Sequence, residues 1–262
     1  MNVINTAKRV ARNLLGPRDK VQRIFWRHVK RYVKHRVGLE IGGPSDAFGD
    51  AGILPLYRYI RKLDNCVFSA ETIWEGQRLE GQTFTYHPKK PRGFNFICES
   101  TDLLRIKNSS YDFILASHTL EHTSNPIKAL KEWIRVVKPG GPIIVILPHY
   151  KYTFDHRRQP TPVSHMLEDY ERDMGEKDET HLNEILDLHD LSRDPPAGTP
   201  QQFRARSLLN IENRCLHHHV FDENNSCGLL EAAGLDVEVL RFINPFHIVM
   251  LAHSSQKIYP RT

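Results

Sequence analysis

The chain has 262 residues, of which 40% are hydrophobic and 26% are charged, and its formal net charge is +5. A chain of this length can bury one sizeable core but would be cramped as two full-sized domains, so we expect one domain with an insertion. The longest purely apolar run away from the termini is residues 143–147, far shorter than the roughly 20 residues of a membrane helix, which excludes a membrane-spanning segment.

The positive charge is concentrated at the amino terminus. Residues 1–36 carry eleven Lys or Arg against one acid, Asp19, whereas the rest of the chain carries 25 bases and 30 acids. Apolar residues recur every three or four positions across residues 21–33, which predicts an amphipathic helix, separated by Gly16 and Pro17 from a shorter one. We interpret residues 1–36 as a basic helical segment that is either a solvated face or a surface for an anionic partner.

Beyond residue 36, short apolar runs alternate with helical patterns. Five runs are predicted to be strands: residues 37–42, 65–69, 94–98, 111–117 and 142–148. A helix ended by Pro139 and Gly140 precedes the fifth strand, and a helix over 223–236 precedes two strands joined at Asn244-Pro245. This alternation predicts an α/β fold with a Rossmann-like, seven-stranded, mostly parallel sheet, helices on both faces and an antiparallel last strand. Ligands would then bind at the carboxyl ends of the strands.

Residues 149–219 interrupt this alternation of strands and helices. They are rich in polar residues, include a Pro-rich turn at 193–200 and hold eight of the fifteen histidines. We expect a helical or irregular lid over residues 151–219, inserted between two parts of the main domain, residues 37–150 and 220–256.

The spacing of the cysteines and the composition of residues 1–30 predict the cellular compartment of the protein. Cys66, Cys98, Cys215 and Cys227 form no C-x-x-C pair, a spacing that suits reduced thiols. Residues 1–30 hold no apolar stretch followed by a small-residue cleavage site. We therefore expect a cytoplasmic protein.

Three motifs occur in an order typical of one enzyme family. They are LEIGGPS at residues 39–45, YDFILASHTLEH at 111–122 and LKEWIRVVKPGGPIIVILP at 130–148. In this order they resemble the class I S-adenosylmethionine-dependent methyltransferases, of the type 11-like kind, over about residues 37–150. The resemblance implies methyl transfer as the activity and S-adenosyl-L-methionine as the cofactor.

The first motif supplies the predicted cofactor loop. Two glycines, Gly42 and Gly43, remove Cβ atoms where a ligand could approach the backbone. Glu40 places a carboxylate beside them, which would repel phosphate but suit a cation. The resemblance implies cofactor contacts for Glu40, Gly42 and Gly43, with Pro44 and Ser45 completing the loop.

The family usually has an acid at the end of the second strand, where it holds the ribose hydroxyls. This chain has Val67 at that position, and Glu71 is the nearest acid that could replace it. After the third strand, Glu99 and Asp102 lie in a segment that resembles the acid-containing one facing adenine. Asp102 could equally be an N-cap or turn residue.

The second motif contains H-x-x-E-H at His118, Glu121 and His122, the pattern of one class of zinc metalloprotease. That chemistry needs all three residues on one helix, whereas here His118 directly follows a predicted buried strand. The context argues against zinc. The resemblance implies instead that Ser117 and His118 border the reacting methyl, and we expect Glu121 and His122 to be helix-entry and packing residues.

Methyl transfer to a hydroxyl needs a base, for which His118 and His149 are the candidates. Polar residues of the insertion are the candidate acceptor contacts: Tyr150, Asp155, Arg158, His165, His181 and His218. This many polar side chains could bind a sugar, a phosphate or a divalent metal. Alternatively, they form a solvated lid. We assign no metal ligands, because no tight spacing such as H-x3-H occurs in the insertion.

These observations predict O-methylation of a sugar or glycan precursor in surface polysaccharide assembly. The acceptor can be anionic, and the basic amino terminus would fit contact with a membrane surface. An RNA methyltransferase is the nearest rival, but a nucleic-acid partner is disfavoured because residues 1–36 offer only Phe25, Trp26 and Tyr32 for stacking. A non-catalytic scaffold with this fold is the other alternative. The oligomeric state is left open.

Overall fold

A computed structural model describes residues 20–72 and 76–254 of the chain. The strands are β1 Val37–Ile41, β2 Lys62–Val67, β3 Glu71–Thr72, β4 Gly76–Gln77, β5 Gly81–Phe84, β6 Gly93–Ile97, β7 Phe113–Ser117, β8 Pro142–Pro148, β9 Leu235–Ile243 and β10 His247–Ser254. The α-helices are α1 Lys20–Val33, α2 Pro126–Val136, α3 Val163–Glu171, α4 Leu182–Leu188, α5 Pro200–Leu208, α6 Asn210–Asn213 and α7 Glu223–Ala232.

One sheet organises the molecule. Its strand order is β5-β6-β2-β1-β7-β8-β10-β9, with β3 and β4 forming a separate hairpin. Strands β6, β2, β1, β7 and β8 pair in parallel, whereas β10 is antiparallel to both of its neighbours. The predicted fold class is confirmed. The sheet has eight strands rather than seven, because β5 pairs antiparallel with β6 at the edge.

The central strands are apolar on both faces because helices cover both. All five residues of β7 and all seven of β8 are buried. On one face, α2 and α7 contribute Trp133 and Leu229 to the core, and on the other α1 contributes Val29. A continuous apolar run is therefore what this position in a parallel sheet requires.

The predicted amphipathic helix is α1. It buries Phe25, Val29 and Val33, while Arg23 and Arg27 are exposed. The predicted shorter helix before Gly16 lies outside the described residues. No helix within residues 20–72 and 76–254 is both long and apolar enough to cross a membrane.

The predicted insertion leaves the sheet after β8 and returns before α7. Its two ends meet, since Tyr150 N donates to Phe221 O at 2.8 Å and His149 bridges to Phe221. Between them, α4 and α5 contribute Ile185 and Phe203 to a small apolar cluster. The insertion is thus a helical unit with an interior of its own.

Candidate functional site

A cavity of about 320 Å³ opens at the carboxyl edge of the sheet. Its walls come from the ends of β1, β2 and β7, including Gly42, Val67 and Ser117. Two residues of the insertion, Glu176 and Arg214, close one side. This is the place where parallel α/β sheets bind their ligands, and the volume is at the small end of the range of ligand sites.

The loop after β1 needs glycine for reasons of space. Gly42 has a φ of +73°, and a Cβ at this position would lie 2.9 Å from Thr119 Oγ1. A Cβ on Gly43 would lie 2.3 Å from the carboxyl carbon of Glu40. Asn65 fixes the loop further, accepting from Gly43 N at 2.9 Å and donating to Gly43 O at 3.0 Å. The backbone of Gly42 can therefore form part of the cavity wall.

Glu40 supports this loop from beneath. Its side chain is fully buried and accepts hydrogen bonds from Tyr57 Oη at 2.8 Å and from Ser45 N at 3.0 Å. Ser45 N also donates to Tyr57 Oη at 2.7 Å. The structure places Pro44 and Ser45 on the cavity wall, but not Glu40, because the carboxylate is turned to the tyrosine. The predicted direct cofactor contact of Glu40 is replaced by a positioning role, and Tyr57 was not foreseen.

The predicted acids after β2 and β6 divide into two groups. Glu71 and Asp102 are exposed and do not line the cavity, and Asp102 accepts from Leu104 N at 3.3 Å, as a turn residue does. Glu99 lines the cavity, and burial raises the pKa of its carboxyl above the ordinary value although Arg214 acts in the opposite direction. Val67 occupies the expected position of the ribose acid on the wall.

Arg214 joins the insertion to the edge of the sheet. It adopts left-handed backbone at the end of α6, with a φ of 51°. Its guanidinium donates to Glu99 at 2.6 Å and to Glu176 at 3.1 Å and lies 5.3 Å from the centre of the Phe68 ring. Neither Arg214 nor Glu176 was predicted, because no local spacing links them to the strand ends.

His118 lies on the cavity wall, between two partners. Its Nδ1 is 3.3 Å from Glu121 Oε1, and its Nε2 is 3.0 Å from His247 Nδ1. Burial and the charge of His118 lower the pKa of His247 to about 4. Burial disfavours the Glu121 carboxylate, but His118 and the nearby histidines hold its pKa below the ordinary value. His118 is therefore an imidazole backed by a buried carboxylate.

Ser117 also lies on the wall, directly before His118. Its hydroxyl is buried and has no hydrogen-bond partner among the described residues. A buried hydroxyl of this kind is stabilised when a ligand supplies the missing bond.

His122 has a larger part in the site than expected. It lines the cavity, its Nδ1 lies 3.1 Å from Leu216 O, and its ring is 4.6 Å from that of His217. Burial lowers the pKa of His122 to about 4. The three H-x-x-E-H residues do not share an α-helix, because Leu120–His122 is a single 3-10 turn that follows His118.

The second predicted base is not in the cavity wall. His149 accepts from Lys151 N at 3.2 Å, and its Nε2 lies 3.0 Å from Glu223. The ring of Tyr150 stacks on that of His149, with centroids 5.4 Å apart. Both residues serve the junction where the insertion begins, which corrects their predicted roles in catalysis and acceptor binding.

The other predicted acceptor residues lie inside the insertion. Arg158 is 1% exposed and donates to the carbonyls of His217 at 2.7 Å and His218 at 3.1 Å. Asp155 lies beside it and binds His217 Nδ1 at 2.5 Å. These groups bind one another inside the insertion, and neither Asp155 nor Arg158 lines the cavity. His165, His181 and His218 lie in a second polar cluster of the insertion, also away from the wall.

Comparisons with known proteins agree with this geometry. The family model described as "Methyltransferase domain" matches residues 73–145. A ubiquinone/menaquinone biosynthesis C-methyltransferase from Bdellovibrio bacteriovorus is 34% identical over 59 residues, which are 22% of this chain and 25% of that protein. The chain thus matches about a quarter of the length of this curated relative.

Solved structures with similar folds include a SAM-dependent methyltransferase from Aquifex aeolicus, with a TM-score of 0.44 and 14% identity over 86% of this chain and 87% of that one. A SAM-dependent methyltransferase from Methanosarcina mazei has a TM-score of 0.48 and 15% identity over 87% and 97% of the two chains.

The matched segment runs from the hairpin after β2 into β8, and the first motif lies on the loop that precedes it. The strand order, with β10 inserted antiparallel between β8 and β9, completes the arrangement that the motifs imply. Residues 73–145 thus match a methyltransferase domain, and the chain has the Rossmann-like fold of the class I S-adenosylmethionine-dependent methyltransferases.

Proposed function

We propose that this protein transfers the methyl group of S-adenosyl-L-methionine to a hydroxyl of a sugar or glycan precursor. The observation that carries the proposal is His118, an imidazole on the wall of the strand-edge cavity with the buried carboxylate of Glu121 at 3.3 Å. An imidazole in this setting can accept a hydroxyl proton, since the carboxylate stabilises the positive charge that forms.

The residues of the cavity suit the cofactor. Gly42 offers backbone, Val67 and Phe68 offer apolar surface, and the unpartnered hydroxyl of Ser117 can bind a polar group. Among the described residues of the wall, Arg214 carries the one permanent positive charge, and two carboxylates neutralise it. This balance fits a sulfonium better than a phosphate group. When bound, the cofactor supplies a methyl group that is already activated.

The protein's own task is then alignment and proton removal. The loop of Gly42 and Gly43, held by Glu40, Tyr57 and Asn65, fixes one wall before any ligand arrives. Such preorganisation aligns an acceptor oxygen in line with the methyl group. His118 would take the hydroxyl proton, with Glu121 and His247 fixing the orientation of its ring.

A polar acceptor fits the remaining wall. Thr123, Glu176 and Arg214 present a hydroxyl, a carboxylate and a guanidinium on the side that the insertion closes. Such groups can bind the hydroxyls and acidic substituents of a sugar, whereas an apolar quinone would remove them from water without offering a hydrogen bond in return. The exposed bases of α1 fit an acceptor that is anionic or carried at a membrane surface.

The test is transfer of labelled methyl from the cofactor to a panel of sugar nucleotides, glycolipids and small organic acids. We expect label on a sugar hydroxyl, and loss of that label in His118→Gln but not in His156→Gln, an insertion histidine outside the cavity. Label that appears only on RNA would overturn the acceptor class. A flat calorimetric trace with S-adenosylmethionine would favour the scaffold.

A further inference from the structure

The insertion contains a cluster of four metal-ligating side chains that is separate from the cavity. His165 and Asp169 lie one turn apart on α3, His181 immediately precedes α4, and His219 lies on the segment that returns to the sheet. One ligand atom from each lies within 4.8 Å of every other. Three distant stretches of sequence therefore converge on one point.

Three of the distances between these atoms are close to those of a coordination shell. His165 Nε2 lies 3.0 Å from His181 Nε2 and 3.5 Å from Asp169 Oδ2, and His219 Nε2 lies 3.7 Å from the same oxygen. Tetrahedral zinc with bonds of about 2.0–2.1 Å holds its ligand atoms roughly 3.3 Å apart. Each of the three distances is within about 0.4 Å of that value.

The buried polar atoms are incompletely satisfied without an ion. Asp169 is 3% exposed and its Oδ2 has no hydrogen-bond partner among the described residues. A buried carboxylate oxygen without a partner is strongly disfavoured. A cation placed between the oxygen and the three imidazoles would remove this penalty.

We propose that His165, Asp169, His181 and His219 bind one Zn²⁺ ion. Three imidazole nitrogens and one carboxylate oxygen form a donor set that zinc accepts, with no thiolate needed. Four protein ligands leave no open coordination position, which is the mark of a structural site rather than a catalytic one. Glu184 lies 3.7 Å from His181 Nδ1, where it can orient the ring from the second shell of the ion.

The ion would fasten the insertion to the main domain. Asn125 begins α2 by accepting from Lys128 N at 3.0 Å, and its Nδ2 donates to the carbonyl of Asp169 at 3.1 Å. His219 lies beside Ser124, and its Nε2 would exchange a contact of 3.3 Å with Ser124 O for the ion. The site therefore lies where α3, α4 and the segment that returns to the sheet meet the start of α2. Its formation does not depend on which molecule accepts the methyl group.

The experiment measures metal content and stability on the full chain. Protein is treated with a chelator, dialysed and titrated with Zn²⁺, and Co²⁺ serves as a spectroscopic probe of tetrahedral coordination. We expect one equivalent of Zn²⁺, a higher melting temperature with the ion, and visible Co²⁺ bands of tetrahedral intensity.

Two variants test the ligands. Asp169→Asn preserves shape and should weaken Zn²⁺ binding by more than about 100-fold, beyond the loss seen for outer-shell groups, and His165→Ala should do the same. His156→Ala is the matched control, because His156 lies in the same insertion but contacts Asp190. The His156→Ala protein should retain the ion. Circular dichroism checks that each variant is folded.

Two outcomes would overturn the proposal. The first is a wild-type chain that neither binds Zn²⁺ nor changes its melting temperature with it. The second is an ion that persists in Asp169→Asn and is lost in His217→Ala, since this would assign it to the group of Glu121, His122 and His217.

Discussion

His118 and Glu121 are paired, with Nδ1 of the imidazole 3.3 Å from Oε1 of the buried carboxylate. Because the carboxylate is buried beside the ring and the ring lies on the cavity wall, Glu121 can act on an acceptor through His118. Glu121 is thus a positioning residue for the proposed base.

The first prediction concerns this pair. Glu121→Gln keeps the shape of the side chain but removes the negative charge, so kcat should fall by about 10- to 100-fold, which reaches only the lower end of the range for general acid–base catalysis because the base itself remains. The KM for S-adenosylmethionine should change little. The pH profile of kcat should shift, because the imidazolium loses its counter-charge. An unchanged kcat, or a lower kcat with an unchanged pH profile, would contradict the assignment.

The second prediction concerns the loop beneath the cavity. Gly43→Ala would place a Cβ 2.3 Å from the carboxyl carbon of Glu40. We expect the free energy of unfolding to fall by about 1–3 kcal/mol, as for other overpacked sites. Gly175→Ala is the control, because its Cβ would meet nothing within 4 Å. Urea denaturation of both variants measures the difference, and equal stabilities would refute the clash.

The third prediction concerns Tyr57, whose hydroxyl donates to Glu40 and accepts from Ser45 N. Tyr57→Phe removes that hydroxyl from a buried network and should lower the free energy of unfolding by about 1–3 kcal/mol. Tyr152→Phe, at a side chain that is 50% exposed, should be nearly neutral. Binding of S-adenosylmethionine should also weaken in Tyr57→Phe. Unchanged affinity would mean that the loop keeps its shape without this bond.

The fourth prediction concerns pH. Burial lowers the pKa of His122 and of His247 to about 4. The unfolded chain, with a histidine pKa of about 6.5, then binds protons that the folded chain excludes, so stability is full above about pH 6.5 and falls as the pH drops toward 4. Each histidine adds a slope of up to about 1.4 kcal/mol per pH unit in this window.

The titratable groups next to His122 and His247 also affect the pH dependence of stability. His122 faces Glu121, His118 and His217, and His247 faces His118. The pKa of His217 is raised by Asp155 against the effect of burial, so its stabilising contribution is complete below the unfolded pKa, is lost as the pH rises through the folded pKa, and adds no slope below about pH 6.5. Urea denaturation at several pH values measures the slope, which His247→Gln should reduce. A stability that is constant from pH 6.5 to 4.5 would contradict the prediction.

Local sequence was sufficient for the central strands. β7 and β8 are buried on both faces, and their nearly continuous apolar sequences predict this burial. β5 was missed because Phe84 is the one buried residue of an edge strand that begins with glycine. Edge strands carry little apolar pattern, so composition alone cannot find them.

The site was only partly predictable. Gly42, Ser117 and His118 follow strand ends, and any parallel sheet places such positions at one edge. The direction of a side chain is decided by packing, which is why His149 turned to Glu223 and Glu40 to Tyr57. Contacts from the insertion, such as Arg214 on Glu99, join positions that lie more than 100 residues apart and leave no local signal.

The hydrogen bond from Tyr150 N to Phe221 O holds the two ends of the insertion next to each other. The chain that leaves the sheet and the chain that returns are already neighbours, so the length between them can change with little entropic effect, about 0.6 kcal/mol for each doubling. Evolution can therefore exchange or enlarge this unit without altering strand register. The same donor-binding sheet could in this way be fitted to different acceptors.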